Sequence, residues 1–193
     1  MAKGLAAVSV REIAREAKIS SGTVTHHFPS IDELLNAVLR AEATRFHEVR
    51  SRILAERRSA LEGLFALGDG LFADRRDLRE YWALWLDHWA RAAHDPRLAS
   101  WQSRDYAAWR ELVARLIAEG VEQGEFRPVD AGAVATELVA LIDGLALQAF
   151  FQLEPMSPDE ARTRFRAAVQ ERLVQDSSSL GPGLTDVEES SRR

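Results

Sequence analysis

Residues 9–30 read SVREIAREAKISSGTVTHHFPS, and this stretch decides the fold. Ser9 followed by Glu12 fits a capping box, in which the N-cap hydroxyl takes the N3 amide and the N3 carboxylate returns to the N-cap amide. A short helix over Val10 to Ala17 is predicted, then a turn at Lys18-Ile19-Ser20, then a second short helix from Ser21 to His27. Two helices that touch near their junction need a small residue where they cross and apolar residues facing one shared core. Ile13, Ala14, Ala17, Ile19, Val24 and Phe28 meet that need. Ser20, Ser21, Thr23, Thr25, His26 and His27 then leave a short, polar, mostly uncharged face outward. Such a face suits a DNA groove, because hydroxyls and imidazole nitrogens reach phosphates or base edges and helix N-terminal amides take a phosphate oxygen. Pattern alone fits two unspecialised surface helices equally well.

Outward from this segment, Pro29 separates the second helix from a long one over Ile31 to Ala55, opened by a second capping pair, Ser30 and Glu33. Further helices are predicted over Ala60 to Ala73, Leu78 to Ala93, Arg97 to Gln123, Ala131 to Leu153 and Pro158 to Gln175, with N-caps at Asp77, Asp130 and Ser157. No segment sustains period-two alternation, so the fold class is all-α. From residue 176 onward the Ser, Gly, Pro and acidic residues carry too little apolar content to offset ordering entropy, and a disordered tail is expected.

Length and composition narrow the classes. The 193 residues are 46% hydrophobic, enough for a real core. With no cysteine there is neither a disulfide framework nor a thiolate site. No run of about 18 to 20 uncharged apolar residues spans a bilayer, so a cytoplasmic protein without membrane contact is expected. The net charge of −5 speaks against a polyanion partner, but residues 1–58 carry 10 basic and 7 acidic side chains, leaving net −8 for the remainder. A basic end on an acidic body can hold nucleic acid at one end only.

Leu78, Trp82, Trp85 and Trp89 form a stripe on one helix face, flanked by Tyr81 and His88, with Trp101, Tyr106 and Trp109 on the next helix. Aromatic stripes at helical spacing are more often packed core than site. Read as a partly open pocket, Trp82, Trp85, His88, Trp89, Tyr106 and Trp109 would line it, and several indoles would suit a small-molecule cation such as a quaternary amine. The helix from Ala131 to Leu153 is apolar around much of its circumference, which predicts two buried faces, one toward its own domain and one toward a second copy. Leu138, Leu141, Leu145, Phe165 and Val169 are the expected homodimer contacts.

Enzyme chemistry finds no support. His26 and His27 are adjacent, so their rings diverge on a helix, and no carboxylate sits three or four residues from both. Phosphate-cradling glycine loops, G-x-S-x-G and H-E-x-x-H are absent. Neither a cofactor nor a metal is expected.

The stretches from Ser9 to Ala17 and from Ser20 to Ser30 resemble, nearly position by position, the DNA-binding signature of TetR-family repressors. The resemblance implies an all-helical homodimer that places its N-terminal modules in successive major grooves of palindromic double-stranded operator DNA and holds an effector pocket in each C-terminal domain. By match to the motif, Ser20, Ser21, Thr23, Thr25, His26 and His27 would contact DNA, Ser9 and Arg11 would approach its backbone, and Gly22 would allow close approach. The body is similar to the choline-responsive BetI-type branch in Trp82 to Arg91, Asp95-Pro96-Arg97-Leu98, Gly120 to Phe126 and Asp143-Gly144-Leu145-Ala146. The chain departs from the family at Lys18, where glycine is common, at Ile31, where a phosphate-contacting lysine is common, and before Ser9. Only Met1 to Val8 stand where the family carries a full first helix, so a truncated first helix is expected. The implied organisation is a DNA-binding domain over 1–46, an effector-binding and dimerisation domain over 47–175, and a tail over 176–193. The rival reading is a dimeric small-molecule-binding or interaction module that has lost DNA binding.

Overall fold

The structure, a computed structural model, describes residues 9–72 and 76–174. Residues 1–8, on which the shortened first helix was expected, and the tail from 176 lie outside the described residues. Eight α-helices and no strand occur among the described residues: α1 (Val10–Glu16), α2 (Ser21–His27), α3 (Ile31–Glu56), α4 (Ala60–Leu71), α5 (Arg76–Ala92), α6 (Pro96–Glu122), α7 (Ala131–Phe150) and α8 (Pro158–Leu173). The chain is all-α, as its patterning predicts.

Local chemistry sets the helix starts. Ser9, Ser20, Ser30, Ser59, Asp95, Asp130 and Ser157 each accept a backbone N–H from the first turn they open. At Ser9 both arms of the capping box are made. Asp77 was expected as an N-cap, but it lies inside α5, which already begins at Arg76. Pro96 is the first residue of α6, where its missing N–H costs nothing. The expected helix to Leu153 stops at Phe150, because Gln152 takes a left-handed φ of 55°.

Three buried clusters involve α3, the smallest lying under α1 and α2, another, of Leu39, Ala43, Leu84 and Trp85, between α3 and α5, and the largest in the body. The smallest joins Ala14, Val24 and Leu34, with Val10, Ile13 and Phe28 packed against it. Ala17 and Ile19, expected in this core, are exposed instead: Ala17 caps α1 and Ile19 occupies the turn after it. The large core fills the space between α4, α6, α7 and α8, around Leu64, Val113, Ile117, Leu138 and Phe165. The domain boundary expected between residues 46 and 47 falls inside the unbroken α3, so the two parts share a helix instead of a linker. α7 is long and apolar enough to cross a membrane by length and composition only, but Glu137 and Asp143 interrupt it and its inner face belongs to this core.

The loop after α6 ties the bundle together. The Glu125 carboxylate accepts the amides of Ala60 and Leu61 at 2.8 and 3.0 Å, satisfying the first turn of α4. Two residues on, the Arg127 amide donates to the Leu173 carbonyl and its Nε to the Arg172 carbonyl, each at 2.8 Å, closing the end of α8. Close helix approach depends on Gly68, where an added Cβ would stand 2.4 Å from the Phe165 ring. Phe165 is 1% exposed and has nowhere to retreat. Gly68→Ala therefore overpacks the core and is expected to cost about 1–3 kcal/mol, read as a fall of several degrees in Tm with the helical circular dichroism spectrum retained.

Candidate functional site

Two surfaces of different chemistry lie at opposite ends of α3. The first is the outer face of α2. Seven residues long, α2 buries only Val24 and leaves Ser21, Gly22, Thr23, Thr25, His26 and His27 exposed. The Ser20 hydroxyl accepts the Thr23 amide at 2.9 Å and meets the Thr23 hydroxyl at 2.8 Å. The Thr25 hydroxyl donates to the Ser21 and Gly22 carbonyls at 3.2 Å, so its proton is used within the helix and its lone pairs remain for an outside donor. His26 and His27 stand edge to face, ring centres 5.2 Å apart. A Cβ added at Gly22 would meet only the Ser20 hydroxyl oxygen, at an ordinary 3.5 Å, so the chain itself leaves room for a side chain there.

No acidic residue occurs from 17 to 31, and Arg11 and Lys18 are exposed beside this face. Ser9 spends its hydroxyl on Glu12 in the capping box but remains at the surface. Lys18 does adopt the left-handed conformation, φ 55°, at a cost of about 1 kcal/mol relative to a glycine. Ile31 is the half-buried first residue of α3 and carries no charge for a phosphate.

The second site is a cavity of about 40 Å³ between α3, α5, α6 and α7, with Leu71 at the end of α4 also in its wall. That volume is roughly three times the ~10–15 Å³ that admits one water. Five of the six expected residues line it: Trp82, Trp85 and Trp89 from α5, and Tyr106 and Trp109 from α6. His88 does not. It is fully buried behind the tryptophans, edge-on to Trp101 at 5.2 Å and to Trp85 at 5.8 Å. Burial and then the charge of Arg91 hold its imidazole below the usual range, so at neutral pH it is an uncharged core ring.

The rest of the lining was not read from the sequence. From α3 come Phe46, His47 and Arg50, from α6 Asp105, and from α7 Asp143. The Arg50 guanidinium lies between two rings, its carbon 3.5 Å from the Phe46 centre and 3.6 Å from that of Trp109. Only 8% exposed, it is lowered by burial to a pKa of about 10 and remains a cation at pH 7. His47 Nε2 and Asp105 meet at 3.1 Å. The Tyr106 hydroxyl donates to Asp143 at 2.6 Å. Burial pushes the Asp143 carboxyl up to about 6, with the Tyr106 hydrogen bond and the charge of Arg50 opposing. The phenols of Tyr81 and Tyr106 are held protonated chiefly by burial. Among the described residues no three His, Cys, Asp or Glu side chains gather as metal ligands.

The expected dimer contacts need correction. Leu138, Leu145, Phe165 and Val169 are 0–5% exposed within one chain and belong to its own core, so no second copy can reach them. Leu141 is partly buried against the same core. The side of α7 left at the surface carries Ala133, Thr136, Ala140 and Gly144, and Phe151, just beyond its end, is 54% exposed.

Comparison with known proteins places both halves. Residues 1–38 match the family of bacterial regulatory proteins, tetR family, and residues 60–174 match the BetI-type transcriptional repressor C-terminal domain. The chain is 30% identical over 176 residues to the HTH-type transcriptional regulator BetI of Cronobacter sakazakii, covering 89% of this chain and 83% of that protein. With BetI of Escherichia coli K12 it shares 29% identity over 90% of this chain and 87% of the relative. Among solved structures, a putative transcriptional regulator from Saccharomonospora viridis in complex with choline superposes with a TM-score of 0.84 at 30% identity, covering 90% of this chain and 91% of that one. A TetR transcription regulator from Haloarcula marismortui shares the fold, with a TM-score of 0.76, 23% identity and coverage of 87% and 88%.

The raised Asp143 pKa makes a pH-dependent cost. An acid held at about 6 in the folded chain and near 3.8 when unfolded destabilises the fold once ionised. The cost is fully present above about pH 6, on the order of 2–3 kcal/mol, and vanishes as pH falls toward 3.8. Asp143→Asn is expected to melt higher than the parent chain at pH 7.5, and the gap in Tm should close between pH 6 and pH 4.

Proposed function

The chain belongs to the TetR family of transcriptional regulators, with a BetI-type C-terminal domain and no enzymatic role, and from that premise we propose a cytoplasmic homodimeric repressor released from its operator by a small quaternary amine or related cation. The observation that carries the effector reading is the cavity's charge set against its walls. Asp105 and Asp143 outnumber Arg50, and the surrounding faces are aromatic. A cationic group is drawn to these carboxylates and finds cation–π attraction on the indoles. The choline bound by the S. viridis protein has that chemistry.

DNA reading is assigned to the exposed face of α2, with Ser20, Ser21, Thr23, Thr25, His26 and His27 toward the major groove, Gly22 for close approach, and Ser9 and Arg11 toward the backbone. α3 links the two sites. Its 26 residues run about 39 Å at 1.5 Å per residue. Near its start, Asn36 accepts from Arg91 of α5 at 3.2 Å and Asp32 stands 3.9 Å from the same guanidinium. Near its other end, Phe46, His47 and Arg50 face the cavity. A ligand that favours one pose of α3 over another shifts the population of DNA-binding arrangements by its differential affinity for the two. Dimerisation is assigned to the outer sides of α7 and α8, where Ala133, Thr136 and Ala140 allow close packing.

The test is a gel shift with the DNA flanking the gene. The full chain is expected to retard it and choline to release it; no retardation of any flanking fragment would overturn the operator-binding reading. Thr25→Ala and His26→Ala should each weaken specific binding by about 1–3 kcal/mol if their side chains read bases. Gly22→Ala separates contact from folding: with room for its methyl and better helix propensity, the variant should melt no lower than the parent yet bind operator more weakly. Unchanged operator affinity would remove Gly22 from the interface.

A further inference from the structure

Arg50 is a buried cation with nothing anionic to hold. Its two faces are covered by Phe46 and Trp109, so what remains is the edge of the guanidinium, where the N–H donors lie in plane. Among the described residues its Nε has no hydrogen-bond partner and no carboxylate stands within ion-pair distance. Asp105 and Asp143 act on it only from farther away, one engaged with His47 and the other with Tyr106. Two more donors of the same lining are buried: Trp89 Nε1 has no partner, and Trp85 Nε1 has only the Tyr81 hydroxyl near it, without a well-formed hydrogen bond. Buried donors without acceptors are uncommon and call for an explanation, and an unpaired buried charge more so.

We propose that the ligand of this cavity is a small zwitterion whose carboxylate is received by the edge of Arg50, with the Trp85 and Trp89 indole N–H groups as supporting donors, and whose ammonium faces Asp105, Asp143 and the aromatic walls. This rests on the reading of the cavity as the effector site and deepens it. A cation alone would answer the two carboxylates and leave the Arg50 edge and the Trp89 indole N–H unmet. A lone anion would answer the donors and be repelled by the carboxylates. A molecule carrying both charges a few atoms apart meets each group. A carboxylate fits better than a phosphate, whose second negative charge would stand beside Asp105 and Asp143. Stacking between two rings fixes the guanidinium plane in advance, so a bidentate carboxylate can dock without reordering it. Because Arg50 lies on α3, whose other end carries the DNA-reading helices, capture of the carboxylate acts on that helix directly.

The experiment is isothermal titration of the full chain at pH 7.5 with N,N,N-trimethylglycine, choline and tetramethylammonium. Trimethylglycine is expected to bind at least tenfold tighter than choline, which carries the same cation and a hydroxyl in place of the carboxylate. In Arg50→Gln that preference should collapse to about one, and in Trp85→Phe, which keeps the ring and removes the donor, it should fall several-fold, with both variants confirmed folded by their melting curves. Choline binding as tightly as trimethylglycine, or an unchanged preference in Arg50→Gln, would overturn the proposal while leaving the cationic effector standing. Silence from all three ligands would overturn the effector reading itself and the zwitterion with it.

Discussion

The two functional ends of this molecule are joined by the packing of one face of α3 against the aromatic wall of α5. Leu39 and Ala43 form a buried cluster with Leu84 and Trp85. One turn further on, Phe46 stacks on Tyr81 with ring centres 4.7 Å apart. Below this seam Leu34 closes the small core under α1 and α2, and above it Phe46 and Arg50 reach the cavity. Large apolar rings cannot slide past one another by fractions of a side chain without losing dispersion contact, so such a seam holds a few discrete positions. A helix held in this way is a stiff connection between the cavity and the module formed by α1 and α2.

What the sequence made legible follows the strength of local signals. The helices were readable because nearly every start carries a Ser or Asp cap, and the helix-turn-helix because a capping box, a small residue and a polar outer face coincide within two dozen residues. Lys18 shows the same economy, since a turn of this geometry demands positive φ whatever residue stands there. The tryptophan stripe was readable from its spacing alone. Arg50 was not, because a charged residue on a long helix ordinarily marks the solvated side, and only the distant Trp109 turns its position into an interior one.

The faces of α7 show the other limit. A helix apolar around its circumference announces that it buries more than one side without saying which neighbour takes which. Leu138 and Leu145 were assigned outward and Phe165 and Val169 with them, yet all four fill the chain's own core. The residues left for a partner are small ones, Ala133, Thr136 and Ala140, which carry little hydrophobic signal and are easily passed over. His88 failed for a related reason: spacing put it beside the stripe, and only the depth of the packing shows that it lies behind the indoles.

The Glu125–Arg127 turn joins helices that are far apart in sequence, because its carboxylate holds the opening amides of α4 while its arginine holds the closing carbonyls of α8. Helix ends normally fray one by one. Here the opening amides of α4 and the closing carbonyls of α8 are held by the same short loop, so displacing that loop frees both helix ends at once. The α1–α2 module, held by a much smaller core, has no share in that tie.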